Sequence, residues 1–141
     1  MRHTSSDKDL AFQASFESCE FSPAEFDHKA HVRLAYVYLC SHGTDTAQKL
    51  MQSSLLRFLK HNGVNPMKYH ETLTRAWILA IRYFMEQAPA SDSAESFMGS
   101  DPRMLDPDIM LTHYSASQLF SDEARQRFVE PNLSPIPRFG D

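Results

Sequence analysis

Three histidines carry the chemistry this chain offers. His28 and His31 stand one helical turn apart, and His70 lies seven residues before the only tryptophan, Trp77. At 100° per residue, His70, Leu73, Thr74, Trp77, Ile81 and Phe84 share one helical face, so the imidazole is expected to point inward. A turn-spaced pair facing a third imidazole is a candidate first shell for a divalent metal, zinc or non-haem iron, because ring nitrogens suit both ions. An open coordination position would then polarise a water or a substrate. Tyr69 and Glu71, which flank His70, and Tyr114, in the pair His113-Tyr114, are the acid/base candidates beside it. Structural readings compete: Glu71 and Arg75 have the spacing of a surface pair, Thr72 and Thr74 can bond back to a carbonyl one turn earlier, and a buried imidazole can be held by a tyrosine or a carbonyl.

Other chemistries are excluded by what is missing. His70-Glu71-Thr72-Leu73-Thr74 begins like the HExxH zinc motif but carries Thr74 where the second histidine belongs, and no GxSxG or phosphate-binding glycine loop occurs. Cys19 and Cys40 are too far apart for CxxC chemistry, and Cys40 falls at the negative end of an expected helix, which disfavours a thiolate. A net charge of −4 with scattered Lys and Arg argues against a nucleic-acid partner. The polar start and the lack of an apolar run of roughly 18 residues argue against export or a membrane span, so a cytoplasmic setting is expected.

The elements that must position these residues are helical. With 141 residues and 42% apolar content the chain suits one all-α domain, a bundle of three to four long helices with short C-terminal helices. Residues 1–15 read as a polar arm, 16–130 as the domain and 131–141 as a Pro-rich tail packed on it through Leu133 and Ile136. Ser22-Pro23-Ala24-Glu25 has the form of a capping box and predicts a helix over about 23–40, stopped near Gly43. Thr44 caps an amphipathic helix to about His61. Asn65-Pro66 begins a third, continuous to about Gln87, with His70 inside it. Residues 94–98 read as loop or a short turn, Asp106-Pro107 starts a short helix, and Ser121 starts another to about Val129.

The runs Phe26-x-His28-x-x-His31-Val32, Lys68-Tyr69-His70-Glu71-Thr72-x-Thr74, His113-Tyr114-Ser115, Ser121-x-Glu123-Ala124-Arg125 and Pro131-x-Leu133-x-Pro135-x-Pro137 resemble a family of small uncharacterised bacterial proteins. The likeness spans about residues 16–137 and implies a self-contained helical domain, with no activity to carry over. In architecture, a bundle with three inward histidines is similar to the DinB-like metal-binding bundles. Two functional expectations follow. One is a metal or small-molecule site built on His28, His31 and His70. The other is an interaction module, or a homodimer, whose histidines are structural and whose Phe-rich N-terminal segment and tail dock.

Overall fold

The computed structural model describes residues 2–139. Ser6 and Asp9 close a capping box, the Ser6 hydroxyl accepting from Asp9 N–H at 3.1 Å while the Asp9 carboxylate accepts from Ser6 N–H at 3.0 Å. That box starts a helix, α1 (Asp7–Glu17), where the sequence reading placed a polar arm. α1 turns Phe12 and Phe16 inward, and Phe16 stacks between Phe26 and Phe58 with ring centroids 4.7 and 4.4 Å away.

Ser22-Pro23 does not open the next long helix. Pro23–Glu25 forms a single 3-10 turn without a side-chain cap, and the backbone at Phe26 leaves helical geometry. Asp27 is the cap instead, accepting from Ala30 N–H at 2.9 Å, so α2 runs His28–Ser41. Residues 34–40 of α2 are all buried, as befits a central helix. α3 (Thr44–His61) follows after Gly43 and ends where Gly63, at φ +67°, turns the chain in a conformation that glycine adopts freely. α4 spans Glu71–Gln87 and buries residues 76–81. α2, α3 and α4 pack against one another, and α1 lies on α2 and α3.

The C-terminal third is built from short pieces. α5 (Ala94–Ser100), started by the Ser93 side chain, lies on α2; two 3-10 turns, Pro102–Leu105 and Pro107–Thr112, follow. α6 (Ala116–Leu119) and α7 (Asp122–Gln126) are capped by Ser115 and Ser121, and α7 packs on α4. The helix expected to reach Val129 stops at Gln126, because Thr72 takes the backbone beyond it: its hydroxyl donates to Arg127 C=O at 2.8 Å and accepts from Val129 N–H at 3.0 Å. Of the two tail residues expected to pack, Ile136 is buried and Leu133 stands out to solvent. The fold is all-α, with no strand among the described residues beyond an isolated bridge between His3 and Ser91. No described helix is long and apolar enough to cross a membrane.

Candidate functional site

The site is assembled from the start of α2, the middle of α3 and the irregular segment that leads into α4. Asn65 caps a 3-10 turn, Pro66–Lys68, after which Tyr69 and His70 are extended. The expected continuous helix from Pro66 is therefore interrupted, and His70 is not on the Trp77 face of α4. It is the N-cap. Its Nδ1 accepts from Leu73 N–H at 3.0 Å, which leaves the proton on Nε2, and Nε2 donates to Leu119 C=O at 2.7 Å. Thr74 hydroxyl donates back to His70 C=O at 2.8 Å. Burial and the nearby Arg125 charge lower the basicity of His70, consistent with a neutral ring that ties α4 to α6.

His28 and His31 occupy the first turn of α2. His28 Nε2 donates to Met104 C=O at 3.0 Å, and its ring meets Trp77 at 4.5 Å between centroids. His31 behaves differently. Its ring lies 6.4 Å from that of His28 and edge-on to Phe26, and the ring nitrogens make no hydrogen bond with any described residue. Burial, with a smaller contribution from His28, lowers its pKa from 6.5 to about 4. It is neutral at pH 7, with a free donor and a free acceptor.

The metal shell expected from His28, His31 and His70 is not brought together. Capping removes the His70 lone pair and the Leu119 carbonyl takes its proton, so neither ring nitrogen is open. Among the described residues no group of three or more His, Cys, Asp or Glu is placed to hold a metal ion. As arranged, His28, His31 and His70 do not form a three-histidine shell for zinc or iron.

Tyr69 and Glu71 do meet. The phenol donates to Glu71 Oε1 at 2.5 Å, and Gln48 Nε2 donates to the same oxygen at 3.0 Å. Burial and the Glu71 carboxylate push the Tyr69 phenol well above its usual range, so the group stays protonated, a hydrogen-bond donor and a poor acid. Gln48 Oε1 is buried without a partner. Tyr114, the other acid/base candidate, stands apart from this pair. Its hydroxyl donates to Val129 C=O at 2.6 Å, and burial, reinforced by Glu130, pushes it up to about 12. With Leu133 N–H donating to His113 C=O at 2.9 Å, it fastens the C-terminal segment.

His31 faces a cavity of about 380 Å³ between α2, α3 and the approach to α4. Phe26, Leu55, Phe58 and Val64 give it apolar walls; Tyr69, Thr74 and Lys68 add polar atoms. The Lys68 ammonium makes no ion pair or hydrogen bond with described residues, and the residue is exposed. His31 also lines a second cavity, about 270 Å³, walled by His28, Leu73, Trp77, Leu111, Leu119 and Phe120. A larger cleft of about 430 Å³ opens elsewhere, at Arg2, His3, His42, Arg82 and Glu86, but both guanidiniums there are already paired with Glu86. The sequence reading missed Leu55, Phe58 and Lys68 as site residues. Leu55 and Phe58 have the spacing of ordinary core positions on α3, and nothing in that spacing marks a core that stops short of filling its space. No family model, curated protein or solved structure matches the chain.

Proposed function

We propose that this chain is a small-molecule-binding helical domain whose ligand lies in the cavity beside His31. The observation that carries the reading is a neutral imidazole with both nitrogens unpaired, set in the wall of a mostly apolar space of about 380 Å³. Ligand pockets have this composition: apolar walls, aromatic rings and a few polar groups that fix orientation, within about 300–1,000 Å³. Tyr69, held by Glu71, and Thr74 supply further polar edges. The free thiols of Cys19 and Cys40 support a reducing, cytoplasmic setting.

The test is a 1H–15N spectrum titrated with compact apolar probes carrying one polar atom: indole, p-cresol and benzimidazole. Shifts for at least one probe should be confined to residues 26–31, 55–64 and 68–74. Leu55→Trp, which fills the cavity, should abolish them while leaving helix content intact. Shifts scattered over the surface, or unchanged by Leu55→Trp, would overturn the reading.

A second reading, an interaction module, is favoured by one feature: Leu111 and Phe120 stand exposed at the rim of the second cavity. Sedimentation of wild type and Phe120→Ser at high concentration separates the two readings, because a homodimer built on that rim would dissociate in the variant.

A further inference from the structure

Among the described residues His31 lines both cavities, and His70 of the first is bonded to Leu73 N–H and Leu119 C=O of the second, so two apolar spaces neighbour each other with these side chains between them. Lys68 lines the first of them and has no anion of its own among the described residues. Leu73, Trp77 and Leu119 wall the space behind the divide. A compact ring could use the first cavity alone, whereas a flexible chain could use that cavity up to the partition and continue past it if the partition were removed. We propose that the ligand is a medium-chain aliphatic carboxylate, its head paired with Lys68 and its tail running toward His31, which sets the chain length the site accepts.

This rests on the reading of the first cavity as a ligand site and adds the ligand's class and its length limit. The charge at Lys68 selects an anion over an alcohol of equal length. Neutral His31 presents no charge to the tail; its ring carbons lie edge-on to Phe26, where an alkyl end can contact them, while its half-exposed nitrogens remain open to solvent. The second cavity then lies beyond the reach of the wild-type ligand's tail.

The experiment is calorimetric titration of wild-type protein with saturated carboxylates from butanoate to dodecanoate, kept below their micelle concentrations, and with octanol. Affinity should rise by about fourfold per methylene and then stop rising at an intermediate length. In His31→Ala the rise should continue, improving dodecanoate by at least about tenfold. In His31→Trp, which thickens the partition, the limit should move to shorter chains, so that a folding failure in one variant leaves the other to decide. Lys68→Met should weaken octanoate several-fold and leave octanol unchanged. Wild-type and His31 variants with the same length profile would overturn the partition, and equal binding of octanoate and octanol in wild type would overturn the anion. If indole, p-cresol or benzimidazole enters the cavity while no carboxylate binds, the ligand class is wrong and the cavity reading stands; if nothing enters, both fall.

Discussion

Two polar regions flank α2, and they hold their polar atoms in opposite ways. Under the N-terminal segment every group is met. The Asp9 carboxylate, 2% exposed, accepts from Ser6 N–H, from Ala94 N–H at 2.8 Å and from Arg33 Nε at 3.0 Å, joining α1, α2 and α5. Burial alone would raise its pKa, but these donors together lower it. Close by, His3 Nε2 donates to Met85 C=O at 2.7 Å, Tyr36 hydroxyl donates to Thr4 C=O at 2.8 Å, and Ser91 Oγ lies 2.7 Å from both side chains. Around the cavity, by contrast, the half-buried His31 ring and the Lys68 ammonium have no hydrogen-bond partner among the described residues, and behind Tyr69 and Glu71 the Gln48 Oε1 is buried without one. A satisfied network fixes one arrangement of helices, whereas an unsatisfied one beside empty space leaves bonds for something else to make. The first region is architecture and the second is the place to look for function.

The comparison breaks most visibly at Asp9. Asp9→Ala leaves the Arg33 charge, the buried Ala94 N–H and the half-buried Ser6 N–H without their acceptor, and should destabilise the fold by about 3–5 kcal/mol in urea unfolding. A loss below about 1 kcal/mol would mean that water reaches this layer and that it is no more closed than the cavity.

His70 tests the border between the regions, since it touches the cavity yet has both nitrogens committed. His70→Ala should cost about 2–3 kcal/mol, roughly 1 from the lost cap and the remainder from the orphaned Leu119 carbonyl and the vacated space. His70→Asn can still accept from the first turn of α4 and should recover about 1 kcal/mol of that. If Asn recovers nothing, the capping role is wrong and His70 belongs with the open groups.

Acid separates the regions along the pH axis. His31 has a folded pKa of about 4 against 6.5 for a free histidine, so the unfolded chain binds its proton first. Stability therefore falls as pH drops from about 6.5 toward 4. The partial exposure of the ring to the cavity limits this to about 1–2 kcal/mol. Asp9 is a carboxylate with a lowered pKa, so its contribution is complete above 3.8 and is lost only below that. His31→Gln should flatten the upper limb of a stability–pH curve and leave the lower one in place. An unchanged upper limb would assign it to His70, whose pKa is also lowered by burial.

The long helices and their faces were legible in the sequence because periodicity records burial: α3 ends at His61 as its amphipathic pattern implies, and α2 is apolar nearly all round. Helix starts were harder to read, since several cap signals compete within a few residues. Ser22-Pro23 and Asn65-Pro66 have the right form, yet each opens only a 3-10 turn, and the true caps are Asp27 and His70. Histidine is an uncommon cap, so periodicity carried His70 into the helix and with it the metal expectation. α1 had a readable signal in Ser6-x-x-Asp9, hidden because Leu10 faces solvent and spoils the apolar stripe. Tyr69 and Glu71 were found as neighbours of His70, but the cavity they border is a property of three packed helices. Spacing along one chain cannot report how much room is left between helices.

The smallest expected effect on stability is at Lys68, and it sharpens the comparison from the other side. A lysine whose side chain is exposed and bonded to nothing described contributes almost nothing to folding, so Lys68→Met should shift stability by less than about 0.5 kcal/mol in urea. Asp9 and Lys68 are both charged and both lie on helical turns that border the core, yet substituting one should come close to unfolding a marginal domain while the other passes unnoticed. The contrast has content only if Lys68 also changes what the cavity prefers, because a surface lysine with no role would be equally silent. A variant that is as stable as wild type and loses the preference for octanoate over octanol places Lys68 with the open groups. A variant that loses more than about 1 kcal/mol of stability would show that its aliphatic stem packs as part of the wall, and the line between architecture and site would then have to be drawn outside residue 68.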